Sequence, residues 1–284
     1  MKRVLVTGAK GGTGRSIVRV LREAGYDVLG LDLKPAGTDD IGYVGADVLD
    51  GDGLNDLVAG TDGVVHFGSY PTDQWTSWSE AFRNITVGGF NVFQACANVG
   101  VKRIACASSI MVYGDMAQQP HFPVTEDNPH MPISIYGTSK VLLERLAGDY
   151  CRWHGMSIAA FRLGRIVYED SFESRLKPHI ESDASAADDL WSYVDARDVA
   201  TACQAWLESD VRGFKAFNIA DEDVCLATPT RELLKTHYPN ITDLRAPFEG
   251  HETPFDSGAL RLTLGWQARH SWQELRDEYE RSQK

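Results

Sequence analysis

Short apolar runs alternate with amphipathic stretches over most of the chain, the pattern of parallel strands joined by crossover helices. Val4-Leu5-Val6 predicts a buried strand. Ile17, Val18, Val20 and Leu21 recur at helical spacing and predict a helix over 14–24, ended by Gly25. Val28 to Leu31 predicts the second strand, with Asp32 at its tip. Further strands are expected at 64–67, 104–107, 158–163 and 216–219, and helices near 79–99 and 136–154. The regularity weakens beyond Arg165. The expected division is a sheet domain over 1–165 and 191–220, with a small lobe from 166–190 and 221–284. The fold class is α/β, a doubly wound parallel sheet with a small C-terminal substrate lobe.

Thr7-Gly8-Ala9-Lys10-Gly11-Gly12-Thr13-Gly14 follows one of these strands and opens a helix. That context is what a dinucleotide fingerprint requires. Gly8 permits the tight turn, Gly11 lets backbone approach a pyrophosphate, and Gly14 lets helix and strand pack closely. Gly12 and Thr13 open the helix, whose N-terminal N–H groups face the phosphates. Asp32 can hydrogen-bond the adenosine ribose hydroxyls and would repel a 2′-phosphate, which favours NAD over NADP. Lys10 and Lys34 pull mildly the other way. Asp47-Val48 has the position of an adenine contact, and equally that of a plain turn aspartate.

Tyr136 and Lys140 stand at i, i+4 and share a helical face. An ammonium beside a phenol stabilises phenolate and brings tyrosine into range as an acid/base. Ser109 follows the 104–107 strand, at the sheet edge where open α/β sheets bind ligands, and its hydroxyl could polarise a substrate oxygen. Ile110 and Met111 come next, at the same edge.

A net charge of −12 sets the chain against nucleic acid and anionic membranes. No apolar stretch reaches the roughly 18 residues of a membrane span. Met1-Lys2-Arg3 leads straight into a strand-like run without a leader's apolar core. Cys96, Cys106, Cys151, Cys203 and Cys225 lie in apolar contexts without metal-ligand spacing. Buried free thiols in a reducing cytoplasm are expected, and no metal.

These motifs resemble the extended short-chain dehydrogenases/reductases, the NAD-dependent epimerase/dehydratase group built on the Rossmann fold. The resemblance rests on the Gly8/Gly11/Gly14 turn, Asp32, Asp47-Val48, His66-Phe67-Gly68, Asn84 with Gly88 and Asn91, Ser109 with Val112-Tyr113-Gly114, Tyr136/Lys140, the run from Tyr193 to Ala200, and Leu264-Gly265-Trp266. It implies NAD as cofactor, held by the glycine turn, Asp32, Asp47, Val48, Phe67, Gly68, Asn84, Tyr136 and Lys140. It implies Tyr136 as acid/base, Lys140 on the nicotinamide ribose, Ser109 on the reacting oxygen, and a homodimer built on the helices at 79–99 and 136–154. The segment between Arg162 and Asp195 is short for a nucleotide-sugar enzyme. The apolar Ile110-Met111 pair removes a dehydratase's Asp-Glu.

What remains resembles compact sugar dehydrogenases, uronate dehydrogenase among them. That enzyme grips its substrate carboxylate with an arginine ahead of a Ser-Thr-Trp stretch, where this chain has Asp188-Asp189-Leu190-Trp191-Ser192. Arg165 or Arg175 could substitute; without either, a neutral sugar or polyol is the better substrate. Ser69, Tyr70, Trp75, Arg165 and Trp191 join Ser109, Ile110 and Met111 as candidate substrate contacts. Trp78, like Trp75, offers an aromatic face that suits a sugar, or equally lid or dimer packing, and Tyr168, like Trp191, is a candidate on position alone. The expected activity is oxidation of a hydroxyl on a small sugar-like substrate. A nucleotide-sugar 4-epimerase and a non-catalytic NAD(P)-sensing regulator are the alternatives.

Overall fold

The computed structural model describes residues 2–33, 42–70, 76–168 and 170–283. Seven parallel strands form one sheet: β1 (Arg3–Thr7), β2 (Asp27–Asp32), β3 (Tyr43–Gly45), β4 (Gly63–His66), β5 (Arg103–Ser109), β6 (Ser157–Leu163) and β9 (Gly213–Ile219), in the order β3-β2-β1-β4-β5-β6-β9. The order reverses at β1, so a crevice opens between the ends of β1 and β4, where such sheets take their ligands. The paired ends Thr7–His66 and Ser109–Leu163 therefore lie along one edge.

Helices α1 (Gly12–Glu23) and α6 (Ala196–Glu208) cover one face; α2 (Gly51–Val58), α3 (Trp78–Val99) and α4 (Ile135–His154) cover the other. The helical repeat read at Ile17, Val18 and Leu21 is the stripe that α1 buries under the sheet. Each such side chain contributes roughly 1.5–3 kcal/mol. Gly100 and Gly155 end α3 and α4 in the left-handed conformation. The expected start of α1 at Gly14 moves back to Gly12, because the turn closes with Gly11 N–H donating to the Gly8 carbonyl.

A smaller layer stands over the C-terminal edge of the sheet. It contains the two-stranded β7 (Arg165–Val167) and β8 (Tyr193–Asp195), and helices α5 (Lys177–Ile180) and α7 (Thr230–His237). Its core joins Leu190 and Trp191 to Val112, Met116, Phe122 and Val124, which precede α4 in the chain, and to Leu233, Tyr238, Phe248 and Phe255. Helix α8 (Gly258–Leu264) returns Leu260 and Trp266 to the core under α1 and α6, and α9 (Trp272–Ser282) closes the chain. All five cysteines are buried and free.

Candidate active site

The glycine turn is shaped by contacts that exclude side chains. Gly8 has φ +70°, and a Cβ there would lie 2.5 Å from the Phe67 carbonyl oxygen. A Cβ on Gly14 would lie 1.9 Å from the Gly8 carbonyl oxygen. Both positions demand glycine. The N-cap of α1 is Gly11, which has no side chain to cap the helix, and the first turn carries no acid. The helix end is thus suited to an anion. Asp32 accepts the Lys10 N–H at 2.9 Å, which ties the tip of β2 to the turn. The Lys10 ammonium lies 5.6 Å from the Tyr43 ring centre. Phe67 and Gly68 form the far wall, with Gly68 N–H donating to Thr7 Oγ1 at 3.0 Å. His66 lies beneath, 2.8 Å from Thr7 Oγ1. Burial, and then the Lys140 charge, push its pKa down to about 3, so it is a neutral wall residue.

Asp47 accepts the Leu49 N–H at 2.9 Å, a local turn bond. Val48 is buried against Gly88, and its carbonyl accepts from Asn91 Nδ2 at 3.0 Å. Asn84 is buried in α3 and accepts the Tyr70 N–H at 3.0 Å, holding the segment after Gly68.

Tyr136, Lys140 and Ser109 come together because of two close approaches. Gly137, next to Tyr136, leaves its Cβ position 2.5 Å from the Met111 carbonyl oxygen, so α4 sits directly on the 109–111 turn. Lys140 lies fully inside, its Nζ donating to the Ala107 carbonyl at 2.8 Å and to Ser69 Oγ at 3.1 Å. That ammonium is 5.5 Å from the Tyr136 ring centre. Burial pushes the Lys140 pKa down to about 8, against the pull of Cys106 and Glu144. Ser109 is buried and its Oγ accepts the Met111 N–H at 3.2 Å. Ile110 is buried beside it and Met111 is exposed.

A polar network missed in the sequence lies behind this group. Glu144, one turn beyond Lys140, accepts from Ser108 Oγ at 2.5 Å and from both Arg162 Nε (3.0 Å) and Nη2 (2.8 Å). Arg162 Nη1 donates to the Tyr113 hydroxyl at 2.7 Å, and that hydroxyl is 2.6 Å from Asn218 Oδ1. Burial opposes the Arg162 charge, but the hydrogen bonds it donates to Glu144 hold its pKa above the ordinary value. The signal was present: Tyr136, Lys140 and Glu144 repeat at four-residue spacing on one face.

The expected substrate contacts divide. Ser69 is drawn to Lys140. Tyr70 turns its hydroxyl to Glu80 at 3.3 Å. Arg165 pairs with Asp189 at 2.5 Å, and Arg175 Nε donates to the Ile166 carbonyl at 2.8 Å. Trp191 is corrected: it is completely buried in the small layer's core, its Nε1 donating to the Asp183 carbonyl, so no substrate reaches it. Trp78 is 70% exposed at the start of α3. Trp75 and Lys34 lie outside the described residues. Among the described residues, no group of three or more His, Cys, Asp or Glu could hold a metal. No helix there is long and apolar enough to cross a membrane.

The chain is similar to several known proteins. A uronate dehydrogenase of Pseudomonas putida is 34% identical over 169 residues, covering 57% of this chain and 60% of that enzyme. A UDP-glucose 4-epimerase of Corynebacterium glutamicum is 25% identical over 305 aligned positions, covering 95% of this chain and 92% of that enzyme. A crystal structure of a short-chain dehydrogenase/reductase superfamily protein from Agrobacterium tumefaciens, with bound NAD, superposes with a TM-score of 0.75. It is 25% identical and covers 99% of this chain and 97% of that one. The chain spans about three fifths of the length of the curated uronate dehydrogenases it matches. Residues 4–220 match the family model directly, and the chain belongs to the NAD dependent epimerase/dehydratase family.

Proposed function

We propose that the protein is an NAD-dependent dehydrogenase that oxidises a hydroxyl of a small sugar or sugar-like substrate. The observation that carries this reading is the convergence of Ser109, Tyr136 and Lys140 at the sheet edge, beside a glycine turn that admits no side chain. The turn, the uncapped start of α1 and Asp32 fit a dinucleotide; Asp47-Val48, Phe67-Gly68 and Asn84 would line the rest of its path. NAD, when bound, supplies the hydride acceptor. Tyr136 takes the substrate's hydroxyl proton. The Lys140 ammonium stabilises the phenolate. Ser109 donates to the oxygen as charge develops there.

Arg165 is engaged by Asp189, and Arg175 by the Ile166 carbonyl. A substrate carboxylate at Arg165 would have to displace its bond to Asp189, which favours a neutral sugar or polyol over a uronate. A second reading, a nucleotide-sugar 4-epimerase, has the near full-length match to the Corynebacterium enzyme in its favour. We also propose a homodimer through α3 and α4, where the exposed Phe90 and Trp153 both pack on the buried Tyr150.

Absorbance at 340 nm with NAD and a panel of free aldoses, polyols, uronates and nucleotide sugars tests the assignment. NADH accumulating with a free neutral sugar is the expected result. Interconversion of a nucleotide sugar by protein that retains NAD, without net NADH, would support the epimerase instead.

A further inference from the structure

The structure contains one aromatic contact at the glycine turn that no motif announces. Tyr168 follows β7, in the small layer, yet its ring rests on Gly12, the first residue of α1. A Cβ on Gly12 would lie 2.6 Å from Tyr168 Cζ and 2.7 Å from Cε1 and Cε2. The ring therefore fills the space of the missing side chain, and its hydroxyl-bearing end is the end at the helix N-terminus. Gly12 is not in a left-handed conformation, so the close ring is what keeps a side chain out.

The tyrosine is firmly mounted. Its N–H donates to Ser171 Oγ at 2.7 Å, and Ser171 is itself buried. Phe172 and Leu176 anchor the following turn in a hydrophobic cluster, with Phe172 stacked 5.3 Å from Tyr279. The Arg175 guanidinium lies 5.0 Å from the Tyr168 ring centre and is fixed by its bond to the Ile166 carbonyl. A phenol donor is thus held over the start of a twelve-residue helix, with a cation beside its ring. In a chain of net charge −12, a doubly anionic pyrophosphate gains from such a local cation.

We propose that Tyr168, backed by Arg175, is a clamp on the dinucleotide's pyrophosphate: its hydroxyl donates to a phosphate oxygen, its ring covers Gly12, and it couples cofactor retention to the small layer. The proposal rests on the NAD reading above and assigns Tyr168 a positioning and retention role, with no part in hydride transfer.

The test is NAD affinity by calorimetry and NADH release by stopped-flow fluorescence, on wild type, Tyr168→Phe, Tyr168→Ala, Gly12→Ala and the Gly12→Ala/Tyr168→Ala double variant. Tyr168→Ala should weaken NAD binding about tenfold, the size of one hydrogen bond to a charged group, mainly through faster release. Tyr168→Phe keeps the ring and the fold and should fall between. Gly12→Ala should bind weakly, and adding Tyr168→Ala should cost nothing more, because the ring has already been displaced. Equal or tighter binding by Tyr168→Ala, in a wild type that binds NAD, would overturn the clamp alone. A wild type that binds no NAD would overturn the cofactor reading and the clamp together.

Discussion

Gly137 is the position where a single methyl group most sharply separates folding from chemistry. Its Cβ would stand 2.5 Å from the Met111 carbonyl oxygen and 3.1 Å from Pro132 Cβ, where ordinary contact begins at 3.4 Å. Relief requires α4 to back away from the 109–111 turn by about 1 Å. The neighbouring Tyr136 then moves by that amount relative to Ser109. A misplacement of about 1 Å costs on the order of a hundredfold in rate. Stability changes less: overpacking costs about 1–3 kcal/mol, and alanine over glycine in a helix returns about 0.5–1 kcal/mol. Gly148 is the control on the same helix, since its Cβ would meet the Phe214 ring at an ordinary 3.9 Å. Gly137→Ala should therefore lose about a hundredfold in kcat with NAD binding retained and Tm slightly lowered. Gly148→Ala should melt higher and turn over normally. Steady-state NADH formation, NAD calorimetry and thermal melts read all three quantities. A Gly137→Ala enzyme with at least half the wild-type kcat would refute the idea that this contact sets the Tyr136–Ser109 geometry.

Arg162→Met should destabilise the protein by about 3–5 kcal/mol in urea, because it strands the buried Glu144 carboxylate. The Arg162→Met/Glu144→Met pair should recover most of that loss; a single-variant cost below about 1 kcal/mol would contradict the network. Lys140 has a folded pKa of about 8, against about 10.4 unfolded. Between those values the unfolded chain binds more protons, so stability of the cofactor-free protein rises with pH through that window. The contribution is about 3 kcal/mol at most, and Lys140→Met should remove it; denaturation of both proteins at pH 8 and pH 10 measures the difference. Phe90→Arg puts a charge into the exposed surface of α3 proposed as the interface. Light scattering should then find a monomer where the wild type is a dimer, and a wild-type monomer would end that proposal.

Most of the sheet was legible because fully buried parallel strands are written as unbroken apolar runs, as in Val4-Leu5-Val6 and Ile158 to Phe161. The glycine turn and the Tyr136/Lys140 pair were legible because their spacing is set locally, by one turn and one helix. The small layer was not. Its core depends on pairings such as Phe122 with Leu244 and Val124 with Phe255, which no periodicity announces. Trp191 illustrates the cost of that: a tryptophan before a short strand reads alike as cleft wall or core, and its partners His237 and Tyr238 decide for core. The contact of Tyr168 with Gly12 was equally hidden, since it joins two segments from opposite halves of the chain.

The most direct test of the account is turnover and NAD binding measured side by side for wild type and Tyr136→Phe, with the best substrate from the sugar panel. The account predicts that removing this one hydroxyl abolishes NADH formation while the NAD dissociation constant stays within about twofold. A Tyr136→Phe protein that keeps near wild-type turnover would contradict it.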